Sequence, residues 1–499
     1  MNREIAIFGG GLAGMVAALK LVQRDFNVVM YESTDRLGGK AGSDCKPDLY
    51  DASFNLTTDQ LEDGVRSDHG YHLFPGWYVN MYHLWQEIGL DYDRDCYPGW
   101  GPKNLKPYDG QFVFLDDDPY TGRTMITLLD LLTRPESEVE DRSLKGFVNS
   151  RIYNSLGSVS FGRLLLNALT VREYEVSARA IRNVFLQWFP VMKTKPSWVA
   201  MKGSLGRVLI DRIEAAIHDY AETGSGSFTL HLNSSVTGLD IENGNMTVSI
   251  NTQSEPIKDK LILLALPQEV LREFDSDAVH ELEPALGQLQ YLKSNTFGAL
   301  DIVFDGVIPE LPTEHFRLLD SEYALTAFSI DHHWPELKEH YPGQSVLQIV
   351  AGDSSAFNKL SAAGFLQQIT REIEKYIPAI KDRVKYYIPH QNVHAPLFVN
   401  EVGTWEYRPK NKSTIPNLYF AGDFVQQITE VASMEGAVRS GLDAAECIRI
   451  RNAANSPKIE IIPPLDPGKI WKFKYRLAMP ILRALAWCRY RLPEYFKIP

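Results

Sequence analysis

Cysteine is scarce in this sequence, and long apolar runs are missing. The four cysteines of the 499-residue chain lie far apart and form no Cys-x-x-Cys pair. This spacing argues against a disulfide-dense secreted module and against a zinc site, so we expect reduced thiols in a cytoplasmic protein that binds no metal. No uninterrupted apolar run reaches the roughly 18 to 20 residues that cross a bilayer, and we therefore expect no transmembrane helix.

A leader segment and an excess of positive charge are also missing. The first apolar run begins at Ile5, which leaves no room for a basic segment and an apolar core before it, so we expect no signal peptide. The formal net charge of −12 argues against nucleic acid as a partner. A chain of this length exceeds one compact core and predicts two or three lobes.

Only one Gly-x-Gly-x-x-Gly string follows a predicted strand, so a separate NAD(P)H domain is not expected. Residues 9–14 (Gly-Gly-Gly-Leu-Ala-Gly) lie between a short apolar strand and a predicted helix from Leu12 to Arg24. Gly9 allows a sharp bend, Gly11 lets a pyrophosphate approach, and Gly14 lets the helix pack closely on the strand. The pattern predicts a dinucleotide at the amino end of this helix.

The residues after the next predicted strand extend the site. The strand 27–31 ends at Glu32, which lies 18 residues beyond Gly14 and can accept both hydroxyls of an adenosine ribose. NAD and FAD share that half, so Glu32 does not distinguish them. The segment 36–40 (Arg-Leu-Gly-Gly-Lys) favours FAD over NAD. Its freed backbone amides and two cations suit the remaining charge of the pyrophosphate and the ribityl chain of an extended FAD.

With this second glycine pair the chain resembles the superfamily of flavin amine oxidases and carotenoid desaturases. Residues 418–423 (Leu-Tyr-Phe-Ala-Gly-Asp) and 434–441 (Met-Glu-Gly-Ala-Val-Arg-Ser-Gly) are most similar to the plant- and cyanobacterial-type phytoene and zeta-carotene desaturases, as are residues 68–78 and 405–409. The likeness is an ordering of motifs over roughly residues 3–450. The connection 44–67 is longer than in that family, and the final fifty residues extend past its usual end.

The resemblance implies an α/β fold built on a glutathione-reductase-like Rossmann FAD-binding domain, discontinuous in sequence, with an α+β substrate lobe of mixed sheet and helices. We expect the FAD-binding domain in residues 1–110, 200–275 and 400–450, the substrate domain in 111–199 and 276–399, and a basic aromatic extension in 451–499.

The resemblance also implies the cofactor contacts. Asp423 would hold a ribityl hydroxyl, Val236 would touch adenine through its backbone, and the helix that begins at Met434 would direct its amides at the flavin pyrimidine. The expected FAD-binding residues are Gly9, Gly11, Leu12, Ala13, Gly14, Glu32, Ser33, Arg36, Gly38, Gly39, Lys40, Tyr71, His72, Val236, Gly422, Asp423, Met434 and Ala437.

Two positions favour desaturation over amine oxidation. Ser433 stands where amine oxidases commonly carry an aromatic residue, and Asp423 stands where they more often carry Glu. We predict an FAD-dependent oxidoreductase of the desaturase or dehydrogenase type, in which an apolar, isoprenoid or carotenoid-like substrate in an apolar channel gives hydride to flavin N5. A quinone or oxygen would then accept the electrons. His69, His72 and Arg408 are candidate catalytic residues, and a structural role is the alternative for each.

Three other functions stay open on the sequence alone. They are a flavin amine or amino-acid oxidase, a redox-neutral flavin isomerase, and a non-catalytic flavin- or lipid-binding partner. Motif order does not separate them, because all four would bind the flavin in the same way.

The C-terminal segment 466–499 has its own composition. It carries eight cations and two acids among many aromatic residues, within an acidic protein. The pattern predicts either an interfacial helix on the inner face of a membrane or a helix docked on the protein's own acidic surface. Pro480 predicts a break or kink in that helix.

Overall fold

The computed structural model describes residues 3–99, 103–108, 111–115, 121–149, 171–192, 196, 198–274, 277–313, 315–353, 357, 359–378, 380–392 and 396–491. The helix expected from Arg163 to Leu169 lies outside this part of the chain.

The strands, in chain order, are β1 (Glu4–Phe8), β2 (Asn27–Tyr31), β3 (Ser43–Asp44), β4 (Ser67–Asp68), β5 (Phe74–Pro75), β6 (Cys96–Gly99), β7 (Lys103–Tyr108), β8 (Gln111–Leu115), β9 (Trp198–Met201), β10 (Ser227–His231), β11 (Val236–Glu242), β12 (Asn245–Ile250), β13 (Leu261–Leu264), β14 (Lys293–Asn295), β15 (Gly298–Phe304), β16 (Phe316–Leu318), β17 (Leu325–Ser329), β18 (Val346–Ala351), β19 (Val384–Gln391), β20 (Leu397–Val399) and β21 (Leu418–Phe420).

The helices are α1 (Leu12–Val22), α2 (Val79–Glu87), α3 (Tyr92–Asp95), α4 (Thr121–Thr133), α5 (Leu144–Asn149), α6 (Ala178–Trp188), α7 (Asp211–Thr223), α8 (Gln268–Leu271), α9 (Asp277–Leu282), α10 (Pro284–Gln288), α11 (Pro335–His340), α12 (Ala362–Ile373), α13 (Ile380–Arg383), α14 (Met434–Asn452) and α15 (Lys469–Arg491). A π-helical turn, Gly206–Ile210, leads into α7.

A five-stranded parallel sheet forms the centre of the first lobe. Its strand order is β10-β2-β1-β13-β21, so the two strands at the ends of the chain lie only two places apart. The strands are short and apolar, and β1 and β13 are buried almost throughout, as expected for a sheet covered on both faces. Because all five strands are parallel, the loops after them meet at one edge.

Helix α1 is enclosed on every side, and all eleven of its residues are buried. It packs along α14, and the contact is close because a Cβ added to Gly441 would lie 2.4 Å from the carbonyl oxygen of Ala13. This backbone contact joins the first turn of α1 to the amino-terminal half of α14, although the two helices begin more than four hundred residues apart in sequence.

A seven-stranded mixed sheet dominates the second lobe, in the order β19-β15-β18-β17-β16-β7-β8. Neighbouring strands are antiparallel except β16 and β7. Strand β7 joins this sheet although it precedes the predicted domain boundary at residue 110. One face packs on α12 through residues such as Leu300, Ile349 and Phe365.

The long connection 44–67 also belongs with the second lobe. The backbones of Tyr50 and Tyr387 exchange two hydrogen bonds of 2.9 and 2.8 Å at the edge strand β19. Leu49, Leu61 and Val65 are buried in a cluster with Val303 and Phe328 of the seven-stranded sheet. The extra length therefore covers the second sheet rather than the cofactor lobe.

Two local patterns predict the structure found. The pair Asn243-Gly244 between alternating runs predicts a hairpin. Strands β11 and β12 form it, with Asn243 at φ +51° and Gly244 at φ +76°, the values of a two-residue type I′ turn. The run 298–304 predicts a strand, and β15 has these bounds.

Gly441→Ala tests the helix contact. We expect a loss of about 1–3 kcal/mol in the free energy of unfolding, because the new methyl group meets the backbone of α1. Gly364→Ala in α12 is the matched control, since its Cβ would meet only ordinary van der Waals neighbours and the helix gains up to about 1 kcal/mol. Denaturant unfolding of both variants checks this; equal stability of the two would contradict the packing.

Candidate functional site

The first glycine loop lies at the carboxyl end of β1. Gly9 has φ +105°, and its N–H donates to the carbonyl oxygen of Tyr31 at 2.8 Å. A Cβ on Gly14 would lie 2.1 Å from the carbonyl oxygen of Gly9, so α1 can start here only because this residue has no side chain. The free amides of the first turn of α1, beginning at Leu12 and Ala13, therefore point toward the edge of the sheet.

Gly11 differs from its neighbours. Its backbone is extended, with φ −72°, and a Cβ there would meet nothing closer than 3.9 Å. The protein itself therefore does not require glycine at this position. A side chain would instead fill the space directly before the helix amides, which is where a diphosphate would lie. The loop thus fits the diphosphate of a dinucleotide.

The second glycine pair packs directly on the first loop. Gly38 donates its N–H to the carbonyl oxygen of Gly10 at 2.8 Å and has φ +109°. A Cβ on Gly39 would lie 3.0 Å from the Cα of Gly11. The two motifs therefore form one continuous backbone surface, as expected if a single FAD contacts both.

Glu32 is buried and fixed to the glycine loop. Its carboxylate accepts the N–H of Gly10 at 2.7 Å and both the N–H and the hydroxyl of Thr34 at 2.9 Å. The neighbouring Ser33 donates to the same carboxylate at 3.1 Å. Val236 is the first residue of β11. Two residues before it, the N–H of Ser234 donates to the carbonyl oxygen of Glu32. Both predicted contacts of the adenosine half therefore lie at the same edge.

The two cations of the second motif lie apart. Lys40 is partly buried, 3.6 Å from Glu269, and donates to the carbonyl oxygen of Pro396. Arg36 is exposed and pairs with Asp35 at 3.4 Å. Of the two, Lys40 is therefore the one directed toward the interior between the lobes.

The C-terminal motif reaches the same edge through β21. Gly422 has φ +145°, and its N–H donates to the hydroxyl of Ser440 at 3.0 Å. Burial raises the pKa of Asp423, and the nearby charge of Lys40 opposes this. Ser433 caps α14 by accepting the N–H of Gly436 at 3.1 Å. The first-turn amides of α14 are consequently directed at the region beyond Asp423, as the pyrimidine contact requires, and Met434 and Ala437 are only partly buried there.

Arg408 holds the loop after Asp423. It is fully buried and donates to three consecutive carbonyl oxygens, those of Asp423, Phe424 and Val425, at 2.6–2.9 Å. Its guanidinium also stacks on Phe398 and Trp405 at 4.7 and 5.1 Å from the ring centroids. Burial lowers its pKa to about 10. These contacts favour the structural alternative for Arg408; its catalytic role remains a prediction.

His69 and His72 lie side by side where the two lobes meet. Their ring centroids are 4.8 Å apart. Burial lowers the pKa of His69 well below its usual range and that of His72 to about 4, so both imidazoles are neutral at pH 7. A Cβ on Gly70 would lie 2.8 Å from Val350 Cγ2 of the seven-stranded sheet. The segment 67–72 therefore runs between the glycine loops and that sheet.

Tyr71 turns toward the second lobe. Its hydroxyl donates to Thr326 and lies 2.9 Å from Nε2 of His315. Burial raises the pKa of Tyr71 and lowers that of His315 to about 3. The FAD contact expected of Tyr71 therefore remains a prediction.

Glu435 is a buried residue beside the candidate site whose structural role the sequence did not reveal. Its carboxylate accepts the N–H groups of Asn80 and Met81 at 3.0 and 2.9 Å, together with the Asn80 side chain at 2.8 Å. It thereby caps α2 from the first turn of α14, and burial raises its pKa to about 7. An acid in the second position of a helix was the available signal.

The described residues contain neither a metal site nor a membrane-spanning helix. No group of three or more His, Cys, Asp or Glu side chains there is arranged to hold a metal ion. None of the helices in the same ranges has the length and apolar composition that spanning a bilayer requires.

Comparison with known proteins agrees with this geometry. The family of flavin containing amine oxidoreductases matches residues 12–449. A zeta-carotene desaturase of Synechocystis sp. is 24% identical over 90% of this chain and 98% of its own length. A 15-cis-phytoene desaturase of Synechococcus elongatus is 26% identical, covering 90% of this chain and 96% of its own.

Solved structures show the same fold at lower identity. A cyclohexylamine oxidase of Brevibacterium oxydans has a TM-score of 0.66 at 16% identity, covering 90% of this chain and 99% of its own. A putrescine oxidase solved with putrescine has a TM-score of 0.67 at 17% identity, covering 90% of this chain and 100% of its own. These neighbours confirm the expected Rossmann-type cofactor lobe joined to a mixed sheet-and-helix lobe.

Gly11→Ala separates cofactor binding from folding. We expect about a tenfold loss of affinity for the dinucleotide with an unchanged melting temperature, because the methyl group enters the diphosphate position and meets no protein atom closer than 3.9 Å. Flavin absorbance per chain after purification measures the first, and the melting curve of the apoprotein the second. Gly14→Ala is the control and should lower the melting temperature. If Gly11→Ala kept its full flavin content, the assignment of the diphosphate position would be wrong.

Proposed function

Because the chain belongs to the family of flavin-containing amine oxidoreductases, we propose that it removes two hydrogens from adjacent carbons of a largely apolar, isoprenoid-like substrate. It is an FAD-dependent oxidoreductase, and FAD, when bound, supplies the acceptor for the hydride. The finer statement, dehydrogenation of carbon rather than of an amine, is supported by the residues around the start of α14.

The observation that carries this proposal is the use of Ser433. Its hydroxyl caps α14. Because serine has no aromatic ring, this position provides no aromatic wall of the kind expected in an amine oxidase. All of these proteins align along nearly their whole length, but the relatives at 24–26% identity carry desaturase names, whereas the amine oxidases are 16–17% identical. Both points favour a carbon–hydrogen bond as the site of oxidation.

The protein's own part is to position the substrate and to exclude water. The two neutral imidazoles, His69 and His72, can accept or relay the proton that leaves the second carbon, and they add no positive charge to the site. Nδ1 of His72 is buried without a hydrogen-bond partner, so it is the better placed of the two to accept. A quinone or oxygen would take the electrons afterwards.

Anaerobic titration of the oxidised protein distinguishes the candidate reactions. We expect an isoprenoid or polyene substrate to bleach the absorbance of the oxidised flavin, because the substrate alone supplies the hydride that reduces it. A primary amine should leave the spectrum oxidised. Bleaching by amines alone would show an amine oxidase, and turnover that requires previously reduced flavin would show an isomerase. A spectrum that no compound changes would favour a non-catalytic role.

We further propose that the C-terminal helix contacts a membrane from which the substrate is taken. One side of α15 is docked on the protein: Trp471 lies 4.5 Å from Phe189, Met479 is buried, and Arg483 pairs with the buried Asp130. The helix continues past Pro480 as one element, so the predicted break does not occur, and the kink stays a prediction.

The other side of α15 presents an apolar stripe to solvent. Five side chains spaced three or four residues apart are 51–73% exposed: Ile470, Phe473, Leu477, Ile481 and Leu485. Such spacing puts them on one helix face. Cations accompany the stripe within an acidic protein, which suits an anionic lipid surface. The proposal therefore combines both alternatives drawn from the sequence: one face of α15 is docked on the protein, and the other is the interfacial face.

The double variant Phe473→Ser/Leu477→Ser tests this membrane contact. We expect at least about a tenfold loss of binding to anionic vesicles in flotation, because two exposed apolar side chains no longer insert. Tyr291→Ser/Val307→Ser removes comparably exposed apolar residues elsewhere and should bind as the unmodified protein does. Equal flotation of all three proteins would contradict the proposal.

A further inference from the structure

The face of the seven-stranded sheet that is directed at the cofactor lobe carries polar side chains among apolar ones. Along β15 the residues alternate, so that Leu300 and Ile302 join the core on α12 while Ala299 and Asp301 face the other way. A Cβ on Gly70 would lie 3.3 Å from Cβ of Ala299, which places this second face under the segment 67–72. This face therefore offers a bound substrate polar groups together with apolar surface.

Two adjacent side chains on this face have polar atoms without partners. Asp301 and Gln348 are paired across β15 and β18 and are 3% and 0% exposed. One carboxylate oxygen of Asp301, Oδ2, accepts the hydroxyl of Ser67 at 2.6 Å, but Oδ1 has no hydrogen bond. Neither Nε2 nor Oε1 of Gln348 has one.

Unpaired polar atoms at this depth are costly. Each buried donor or acceptor without a partner destabilises the fold, whereas an apolar residue of the same size would not. Val346 and Val350, the neighbours of Gln348 on the same face of β18, show that apolar residues fit this face. The position of Gln348 therefore indicates a ligand group that supplies the missing hydrogen bonds.

The pair lies close to the proposed reaction site. Ser67, which bonds Asp301, is two residues from His69, and His69 makes a hydrogen bond with the backbone of Gly42 at the end of the second glycine motif. A bound molecule that reached from the flavin to the sheet would thus meet Asp301 and Gln348 on the sheet side.

We propose that Asp301 and Gln348 form a subsite for a hydroxyl group, so that the substrate is an isoprenoid-like chain carrying an alcohol rather than a pure hydrocarbon. This inference rests on the proposed function. A hydroxyl donates one hydrogen bond, which Oδ1 of Asp301 can accept, and accepts others, which Nε2 of Gln348 can supply. A hydrocarbon satisfies neither residue. An ammonium group would satisfy only the acceptors, because it has no acceptor of its own.

Spectral titration of the flavin-loaded protein under air-free conditions tests the subsite. The probes are a long-chain isoprenoid alcohol and the hydrocarbon and primary amine of the same carbon skeleton. We expect the alcohol to perturb the flavin spectrum with an apparent Kd at least about tenfold lower than that of the hydrocarbon. Gln348→Met, which keeps the volume but removes both polar atoms, should reduce that ratio to within about twofold.

Ser329→Ala is the matched control. Its hydroxyl is also buried and without a hydrogen-bond partner. Because side chains alternate along β17, Ser329 lies on the α12 face of the sheet, opposite to the face that carries Thr326 and Phe328. The preference for the alcohol should persist in this variant. If Gln348→Met retained the preference, or if the alcohol and hydrocarbon bound equally to the unmodified protein, the subsite would be refuted.

Protein stability gives a readout that does not depend on substrate. Gln348→Met should raise the melting temperature, since it removes two unpaired polar atoms from the interior. A lower melting temperature would show that Gln348 serves the fold through partners of its own, which overturns the inference. Tightest binding of the amine would also overturn it and would favour an amine oxidase, while no spectral response to any probe would contradict the proposed function itself.

Discussion

The contact between α1 and α14 is the constraint on which the rest of the structure depends. Gly441 lies against the backbone of Ala13, and no other residue type would leave the two helices this close. The helices follow strands separated in the sheet by β13 alone, so their amino ends meet at the carboxyl edge of the five-stranded sheet. An extended FAD can therefore be bound at its diphosphate and at its flavin end by helix amides that come from opposite ends of the chain.

Two buried charged groups fix the loops around this contact without pairing with an opposite charge. Arg408 gathers three carbonyl oxygens of the loop after Asp423, and Glu435 gathers the amides at the start of α2. Burying a charge is favourable only when its hydrogen bonds are made, and here backbone groups make most of them. Loss of either side chain would release a loop next to the proposed flavin position, so a role in positioning explains both residues.

Local chemistry made the cofactor lobe predictable, whereas contacts between distant segments did not. Gly9, Gly14 and Gly38 have conformations or close approaches that only glycine tolerates. The spacing of these glycines in the sequence therefore predicts the geometry of the loops. The role of Arg408 depends on carbonyl groups, which every residue has, and no pattern marks them. Asp301 and Gln348 are single polar residues within apolar strands, and the strands alone do not tell which face is directed at the cofactor. Pro480 misled because packing on α4 and the pairing of Arg483 with Asp130 hold α15 as one helix.

The central claim is that one extended FAD lies across both glycine motifs and the amino end of α14. Its most direct test is the identity and amount of nucleotide that the purified protein releases on denaturation, measured by chromatography and absorbance. The account predicts intact FAD at about one molecule per chain. Release of FMN or of a nicotinamide nucleotide, or a full-length folded chain that takes up no FAD, would contradict it.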